Sequence, residues 1–545
     1  MIKFPFRMLS AWVLSICVVF FALGFLSNFF TTFFEILILA FFLQILVSLF
    51  IFRLLGRSRA LFIAQPLRGA LTLTLLLVLT ISLAGMFKMA DQFPSLFDGG
   101  YFLLDTGQII PFVAGGLLAA PMLLLILQMI FQNHLNQTRF LHFFDDIAAG
   151  ILVAGLFFAI YLVFASIFNR PVFDVDDIFF DTDGLLWRTR FTTDQYQDYY
   201  YRSVHPFVLL IIRPLVLFVS FFLKGDRFSS AILLVSFSGA LCVFLAWYFV
   251  RQVTGNSLYA ALISSLIGVS AAHLVFGSLI ETYIFLAAVM MIFIVLLLRK
   301  SSLFTLILVG LVSFGITISN FIQTVIAFFF VRRDFKQWIQ YGLIVSVLVI
   351  PLTLLNNFIY PDSQPYFFIP SSLGAEADNT FAPSINRAKA VVRVMFFYSL
   401  VAPEPLILDE EIPFLKVWIF KADPMRLGEY ETWLGTSLAL AWLVLLVFGG
   451  ILFLKNIKTS NNQYAFSFIF ILLFNFILHL RYGKDLFLYS TNWTYALILF
   501  LALAWQEVSG KRWFQLVLLV FISLLILNNS RLLLTMLSTS ALHIK

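Results

Sequence analysis

Acidic, basic and aromatic side chains are concentrated in one segment of the chain, FFDTDGLLWRTRFTTDQYQDYYYRSVHP, which runs from Phe179 to Pro206. Asp181 and Asp183 flank a single threonine there, and three more acids precede them: Asp174, Asp176 and Asp177. Carboxylates this close repel one another, which raises the pKa of at least one. Such a pair can accept a proton from a hydroxyl group or bind a divalent cation. The alternative is a solvated acidic loop, or a calcium site with a structural purpose only.

The remainder of this segment is basic and aromatic. Its side chains of these types are Arg188, Arg190, Tyr196, Tyr199, Tyr200, Tyr201 and Arg202. Arginine can bind phosphate through two parallel hydrogen bonds, and tyrosine can stack on a sugar ring. An interfacial aromatic belt with cationic anchors is the alternative. His205 closes the segment and is a candidate phosphate ligand or proton carrier, although a histidine at a helix start is as often a capping or packing residue.

Three further candidates lie far along the chain. Glu281 begins an apolar run in HLVFGSLIETYIFLA, where an ionisable group is costly unless it is paired or faces water; a hydrated carboxylate at the interface is the alternative. Arg481 and Lys484 are three residues apart in RYGKD, so a helical continuation would place them on one side. Facing a lipid phosphate, they would neutralise a leaving group. Snorkelling anchors are the alternative for this pair.

Composition identifies the environment in which these residues work. The chain has 545 residues, of which 61% are hydrophobic and 12% charged. Such a chain cannot bury its apolar surface in a water-soluble core, which indicates a polytopic membrane protein. Cys17 and Cys242 are far apart and provide neither a disulfide framework nor a metal site. The net charge of +7 comes mainly from cations at the ends of apolar runs, which argues against nucleic-acid binding.

Apolar runs separated by cationic connections predict an all-α bundle of about 15 transmembrane spans with external loops and interfacial helices. The positive-inside rule puts the N-terminus in the cytoplasm with Arg53, Arg57 and Arg139, and the segment from Phe179 outside. We place the run 207–223 along the outer interface, because a crossing there would put most later cations outside. This topology predicts an external C-terminus.

The order of apolar runs and polar loops predicts four regions. They are extra N-terminal transmembrane helices (1–146), a transmembrane core with a first external catalytic loop at 169–205 (147–358), a large external loop (359–433) and C-terminal transmembrane helices (434–545). The loop 359–433 contains several prolines and a polar patch, SSLGAEADNTFAPSINRAK, which favours a folded loop with short surface helices. The sequence has no GxGxxG, P-loop or HExxH motif, which argues against an ATP-driven pump and a zinc protease.

Four motifs carry a resemblance to a known class. FFDTD, YYYRSVHPF, FGSLIETYIFLA and DLFLYSTNW resemble, in this order, segments of an uncharacterised bacterial branch of the GT-C class of integral-membrane glycosyltransferases. This class includes protein O-mannosyltransferases and aminoarabinose transferases. The likeness extends from about Asp146 to the C-terminus, and the first four helices lie outside it.

The resemblance implies a catalytic cavity open to the outside and a donor sugar on a polyprenyl phosphate or diphosphate. Asp183 matches the first-loop acid of the class and Asp181 its neighbour; such a carboxylate acts on the acceptor as a general base or orients it, in some members with a divalent cation. His205 matches the His-Pro histidine, Glu281 the acid before a later span, and Asp485 an acid before Phe-Leu-Tyr-Ser. Asn492 stands where the class would favour histidine, so a proton role there is in doubt, although an amide can bind a sugar hydroxyl or phosphate.

These observations predict a glycosyltransferase of the bacterial plasma membrane that transfers a sugar from a polyprenyl-phosphate donor to an external acceptor. The acceptor is a glycan, a lipid or a protein, and membrane lipids surround the enzyme. Asp183 and Asp181 are the predicted catalytic residues and possible ligands of a divalent cation. The predicted substrate-binding residues are Arg202, His205, Glu281, Arg481, Lys484, Asp485 and Asn492. The alternatives are a transporter or flippase of a lipid-linked or polar solute, and a scaffold for envelope assembly.

Overall fold

The structure is a computed structural model that describes residues 3–133, 138–409, 415–458 and 462–542. It divides the chain into two compact units, Met1–Val78 with Phe97–Leu152, and Leu79–Leu96 with Val153–Lys545. We call them the first and the second unit. The first unit ends at residue 152, and residues 79–96, which lie inside the predicted N-terminal region 1–146, belong to the second unit. Hydropathy locates a helix without indicating its neighbours, so this assignment was beyond the sequence.

Helices make up most of both units. The chain begins with α1 (Lys3–Leu26), α2 (Phe33–Ala64), α3 (Pro66–Asp91), α4 (Ile109–Gln132) and α5 (Arg139–Phe168). It continues with α6 (Gly184–Thr192), α7 (Val208–Phe222), α8 (Arg227–Thr254), α9 (Ser257–Gly268), α10 (Ala271–Phe276), α11 (Thr282–Leu298), α12 (Leu303–Ile316), α13 (Ile318–Arg332) and α14 (Phe335–Ile359). The last helices are α15 (Ile385–Arg393), α16 (Trp433–Lys455), α17 (Asn462–His479), α18 (Thr491–Ala504) and α19 (Arg512–Ala541).

Length and hydropathy identify the membrane-spanning candidates. Within the described residues, 10 helices are long and apolar enough to cross a bilayer, namely α1 to α5, α8, α14, α16, α17 and α19. The shorter apolar helices α7, α9, α11, α12 and α13 have 10–17 residues each and coincide with further apolar runs of the sequence. The protein is therefore an all-α polytopic membrane protein, while the count of about 15 crossings stays a prediction.

In the first unit, a few buried polar groups fix how α1, α2 and α4 pack. The hydroxyls of Ser15 and Ser48 lie 2.8 Å apart, and the Gln44 amide donates to Ser15 at 2.7 Å. The Trp12 indole donates to the Gly116 carbonyl at 3.0 Å. Polar pairs of this kind select one register between apolar helices, because a shifted register would leave them unsatisfied.

In the second unit, a loop of about the predicted extent, between α5 and α7, is held by its own acids and arginines. Asp176 accepts hydrogen bonds from the backbone of Leu185 (2.8 Å) and Leu186 (3.1 Å), which stabilises the N-terminus of α6. The Arg188 guanidinium donates to the carbonyls of residues 169, 170 and 173 just beyond α5. These contacts, all made by one nitrogen of the guanidinium, give Arg188 a structural role in the loop.

Arg190 has a structural role as well. Its side chain is 1% exposed and donates to the Tyr196 carbonyl at 2.9 Å, and to the Ser363 carbonyl and Gln364 side chain at 2.9 Å each. Its guanidinium lies 3.5 Å from the buried carboxylate of Asp198. A charged group with this many internal partners ties the first loop to the segment after α14.

The predicted large external loop is folded, but it contains strands as well as short helices. A 3-10 helix (Pro370–Asn379) and α15 are followed by two small antiparallel pairs, β1 (Leu406–Leu408) with β2 (Lys416–Trp418) and β3 (Phe420–Lys421) with β4 (Arg426–Leu427). Strands this short carry no usable period, which explains why the sequence predicted only helices there. β2 extends onto the first loop, because Val417 donates to Ile178 (2.7 Å) and accepts from Phe180 (2.9 Å).

The helix α7 has a charged residue in its middle. Arg213 is 3% exposed and bonds Asp194 at 2.8 Å, although the Asp194 side chain is 76% exposed. Arg213 also donates to the Arg190 carbonyl at 2.8 Å. The centre of this helix thus pairs with an exposed carboxylate, while the placement of the run 207–223 along an interface stays a prediction.

The buried Arg190–Asp198 pair predicts a stability difference. Arg190→Gln leaves Asp198 buried without its counter-charge, so we expect a loss of about 3–5 kcal/mol in unfolding free energy. Arg227→Gln removes a partner of the exposed Asp194 and should cost at most about 1 kcal/mol. Thermal unfolding of both variants in the same detergent measures this, and equal melting temperatures would contradict the structural role of Arg190.

Candidate functional site

The second unit contains a polar cleft of about 130 Å³. The loop after α5, the segment after α14 and the connection between α17 and α18 supply most of it. Its lining residues are Asp177, Asp181, Asp183, Tyr200, Arg202, Val204, His205, Tyr283, Ala375, Asp378, Asn379, Tyr482, Lys484, Leu488 and Tyr489. Five of the predicted site residues therefore meet in one place: Asp181, Asp183, Arg202, His205 and Lys484.

An ion pair lies at the centre of this cleft. The Arg202 guanidinium is 2.8 Å from an Asp183 carboxylate oxygen, and the two side chains are 15% and 10% exposed. Burial raises the pKa of Asp183 to about 7, although the positive charge of Arg202 opposes the rise. Arg202 also stacks on Tyr200, with its guanidinium carbon 4.7 Å from the ring centre. The carboxyl group of Asp183 can therefore exchange a proton near neutral pH.

Asp181 is presented by a tight backbone turn. Asp177, Phe180 and Asp181 have φ angles of 66°, 55° and 62°, a left-handed conformation that costs energy for residues other than glycine. The bonds to β2 hold this turn in place. Burial, and then the charges of Asp177 and Asp183, raise the pKa of Asp181. The predicted pKa rise within the acid pair is thus found, but burial contributes more than repulsion.

Glu281 holds Asp183 from behind and does not line the cleft. It is fully buried, and its carboxylate accepts the backbone N–H of Asp183 at 3.1 Å. Its other oxygen accepts the backbone N–H of Thr282 at 2.7 Å, at the N-terminus of α11. Burial and the neighbouring Asp183 raise the pKa of Glu281 to about 8. Glu281 therefore contacts the backbone of Asp183 from outside the cleft lining, and its binding of substrate stays a prediction.

Asp485, in the connection between α17 and α18, likewise binds backbone N–H groups. It is fully buried and accepts backbone N–H groups of Ile419 at 3.0 Å and Phe487 at 2.8 Å. Its own N–H points to the Asp181 carboxylate at 3.4 Å. Burial raises the pKa of Asp485 to about 7, and these hydrogen bonds oppose the rise. The Asp485 carboxylate is thus bonded to the backbone and does not line the cleft, while its binding of substrate stays a prediction.

His205 is held in one tautomer by a helix break. α12 ends and α13 begins around Thr317, so the Ile316 carbonyl is free to accept a hydrogen bond from outside the helix. It lies 2.6 Å from Nδ1 of His205, which must therefore carry the proton. Burial and Arg202 lower the pKa of His205 to about 3, leaving a neutral ring whose Nε2 is an acceptor. A neutral acceptor does not bind phosphate, so His205 can act only on a hydroxyl or another donor.

The connection between α17 and α18 separates the predicted cationic pair. Both side chains are exposed, but Lys484 lines the cleft and Arg481 does not. α17 ends at His479, Tyr482 forms an antiparallel bridge with Thr380, and Gly483 has a φ of +105°. A side chain on Gly483 would also collide with the Tyr489 ring, at 2.6 Å. The predicted helical continuation is wrong, and with it the pairing of Arg481 with Lys484.

Asn492 lies in the first turn of α18 and is 4% exposed. It is absent from the cleft lining, and its side-chain oxygen has no hydrogen-bond partner within the described part of the chain. The prediction that Asn492 contacts substrate in this cleft is therefore not supported by its position.

The divalent cation suggested for Asp181 and Asp183 does not fit the side chains present. No group of three or more His, Cys, Asp or Glu residues with a metal-binding arrangement occurs in the ranges that the structure describes. Asp183 already has Arg202 as its counter-charge, and a guanidinium there repels a second cation. We therefore derive no chemical step through a metal.

Several lining residues were not among the predicted ones. Asp177 belongs to the acidic stretch, and Asp378 and Asn379 belong to the polar patch of the large loop, so composition alone indicated their regions. Tyr283 lies two residues after Glu281, and its ring packs against Tyr489 with the ring centres 5.2 Å apart. The contact between these tyrosines depends on two segments 200 residues apart in the chain, for which no local signal exists.

The buried carboxyl groups predict how stability depends on pH. Asp183, Asp485 and Glu281 have raised pKa values of about 7, 7 and 8, so the folded state holds protons that the unfolded state releases near pH 4. Their contribution is complete below about pH 4 and is lost as pH rises through 7 and 8. The lowered pKa of His205, about 3, has the opposite effect only below about pH 6.5.

Between about pH 6.5 and 8.5, stability should therefore fall, by on the order of 1 kcal/mol per pH unit. Thermal unfolding of the detergent-solubilised protein across this range measures the fall as a decreasing melting temperature. Asp485→Asn removes one of these groups and should flatten the slope, while the exposed Asp174→Asn should leave it unchanged. A melting temperature that rises with pH would contradict the assignment.

Comparison with known proteins extends this description. A family profile with the description Predicted membrane protein (DUF2339) matches residues 145–543, which contain every residue of the polar cleft. No curated protein matches the chain. No solved structure matches it either. Because the profile covers most of the chain, this protein belongs to the DUF2339 family of membrane proteins.

Proposed function

We propose that the protein is a membrane glycosyltransferase that transfers a sugar from a polyprenyl-phosphate donor to an acceptor hydroxyl on the external side of the bacterial plasma membrane. The observation that carries the proposal is the convergence of Asp181, Asp183, Arg202 and Lys484 on one cleft. Sugar transfer needs a base for the acceptor hydroxyl and cations for the phosphate that leaves. The cleft contains both.

In the proposed reaction, an oxygen of the acceptor attacks the anomeric carbon of the donor sugar. A new bond forms between the acceptor oxygen and this carbon, and the bond from the carbon to the phosphate oxygen breaks. The phosphate leaves with the electron pair of that bond. The proton of the acceptor hydroxyl passes to Asp183. Its pKa of about 7 suits a general base, because the ionised form is populated and still takes up a proton readily.

Arg202 and Lys484 would bind the phosphate. Arg202 has its Nε buried without a hydrogen-bond partner within the described residues, so the guanidinium has a donor available for a ligand. When the phosphate of the donor binds Arg202, it competes with Asp183 for that cation. The carboxylate of Asp183 is then left to accept the hydroxyl proton, which couples donor binding to activation of the base.

The remaining lining residues suit a sugar. Tyr200, Tyr283 and Tyr489 offer rings that can pack on an apolar sugar face. Asp378, Asn379 and the neutral Nε2 of His205 provide acceptors for sugar hydroxyls. A transporter or flippase of a lipid-linked solute, the alternative from the sequence, would place polar groups along a path through the spans. Here the ionisable side chains gather in segments between helices, which favours an enzyme.

Replacement of the proposed base should stop transfer. General-base assistance typically contributes about a hundredfold to ten-thousandfold, so Asp183→Asn should lower turnover by at least about a hundredfold. Asp174→Asn is the matched control, because Asp174 is exposed in the same loop and does not line the cleft. The measurement is the release of polyprenyl phosphate from a panel of polyprenyl-phosphate sugars by membranes that contain each variant.

The outcome separates the two classes of function. Unchanged release by Asp183→Asn would remove Asp183 from the mechanism. Exchange of labelled donor across proteoliposomes without release of polyprenyl phosphate would support transport and overturn the enzyme proposal.

The two neighbouring cations provide a second prediction. Lys484→Gln should reduce turnover by about tenfold or more, because the cleft loses a cation near the leaving phosphate. Arg481→Gln removes the same charge three residues away but outside the cleft, so turnover should change less than about twofold. Initial rates of polyprenyl-phosphate release distinguish the two variants. Equal losses would mean that the net charge of the segment, and not a contact in the cleft, is what the enzyme needs.

A further inference from the structure

The first unit contains a second cleft, with a volume of about 630 Å³. It lies between four helices. The start of α1, the later part of α2, the end of α4 and the start of α5 line it. Its polar lining residues are Arg7, Arg53, Arg57 and Asp145, and most of the others are apolar or aromatic, among them Phe50, Phe52, Phe131, Phe140 and Phe144. We call it the basic cleft.

The guanidinium groups of the basic cleft exceed their internal counter-charges. Arg53 is bound by Asp145 through two hydrogen bonds of 2.5 Å. Arg57 lies 3.2 Å from Asp146, whose side chain is 71% exposed, so this pair is weak. Arg7 has no such carboxylate pair among the salt bridges of the described residues. The cleft is thus left with an attraction for anions.

Arg7 is held in place for a ligand. Its guanidinium carbon lies 3.6 Å from the centre of the Phe52 ring. Its Nε is buried and has no hydrogen-bond partner within the described chain. A side chain on Gly56 would meet the Arg7 guanidinium at 2.8 Å, so the glycine leaves room for it. The result is an oriented cation with a donor unused by the protein.

The depth of these arginines points to the surface of the hydrocarbon layer. Residues 33–52 of α2 form a largely apolar helical stretch that rises about 30 Å, the thickness of the bilayer core. Arg53 follows directly, and Arg7 precedes the apolar part of α1. In a bilayer, this spacing would place the guanidinium groups at the level of lipid phosphates and the phenylalanines of the cleft beside the upper acyl chains.

From this arrangement we propose that the basic cleft binds an anionic phospholipid. Its phosphate contacts Arg7 and Arg57, and its acyl chains lie against the aromatic wall. Basic pockets between transmembrane helices bind anionic head groups in this way. The apolar wall favours a lipid over free phosphate, and the excess positive charge favours an anionic over a zwitterionic head group. This inference is independent of the proposed function, because its lining residues lie almost entirely outside the family match at 145–543.

The test measures lipid binding to the full-length protein in detergent by native mass spectrometry, with phosphatidylglycerol, phosphatidylcholine and inorganic phosphate as probes. We expect phosphatidylglycerol to bind at least about fivefold more tightly than phosphatidylcholine, and inorganic phosphate not to compete at millimolar concentration. Arg7→Gln with Arg57→Gln should reduce phosphatidylglycerol affinity by about tenfold or more. Arg68→Gln is the matched control, since Arg68 belongs to the same unit and does not line the cleft.

A variant with the opposite expected effect guards against misfolding as an explanation. Asp146→Asn frees Arg57 from its exposed partner, so phosphatidylglycerol affinity should rise about twofold to fivefold. A misfolded protein would show no such gain. Equal affinity for the two lipids, displacement by inorganic phosphate, or an Asp146→Asn affinity at or below the unmodified value would each overturn the proposal.

Discussion

The ion pair between Asp183 and Arg202 is the interaction on which the polar cleft depends. Both groups are nearly buried, and a buried charge is tolerated only when a partner and hydrogen bonds compensate for lost hydration. Arg202 stacks on Tyr200, and the Asp183 backbone is bonded by Glu281. The pair closes the loop after α5 on itself, and the bond to Glu281 ties this loop to the N-terminus of α11. Removing water from these groups is also what brings the pKa of Asp183 near neutrality, so the structural cost and the proposed chemical use have one physical origin.

Acids at the starts of helices repeat through this site. Asp183 precedes α6, Glu281 precedes α11 and Asp485 precedes a 3-10 helix. The unpaired N–H groups and the partial positive charge of a helix start favour a carboxylate there. Glu281 and Asp485 accept backbone N–H groups at these helix starts, which gives each a local reason to occupy its position before any ligand is considered. The Asp183 side chain makes no such bond, because Asp176 accepts the N–H groups at the start of α6. What turns these local caps into a site is that the chain folds back, so that the third acid donates its own N–H toward Asp181.

The sequence predicted the parts of this site that a single segment contains. Asp181, Asp183, Arg202 and His205 lie within one polar stretch of the sequence, and their types and spacing were enough to propose that they work together. Lys484 was also predicted, but Arg481 was included with it because a helix was assumed where Gly483 makes a left-handed turn. Asp176 and Asp177 are adjacent and alike in sequence, yet one binds the α6 backbone and the other lines the cleft. The direction of a side chain in an irregular loop depends on contacts such as those of β2, which no local pattern encodes.

Each of the two clefts has an arginine that is paired with a carboxylate of the protein, but the free-energy cost of separating the pair differs. The ion pairs are Asp183 with Arg202 and Asp146 with Arg57. In both, a phosphate could replace the carboxylate as the partner of the guanidinium. Asp146 is exposed, so water stabilises it when a ligand displaces it, and little free energy opposes binding. Asp183 is buried, and its displacement leaves a desolvated carboxylate that is stabilised only by protonation. An anion that binds Arg202 therefore makes Asp183 a stronger proton acceptor, whereas an anion that binds Arg57 changes no proton affinity of consequence. The same pair of side chains can thus anchor a lipid when exposed and drive proton transfer when buried.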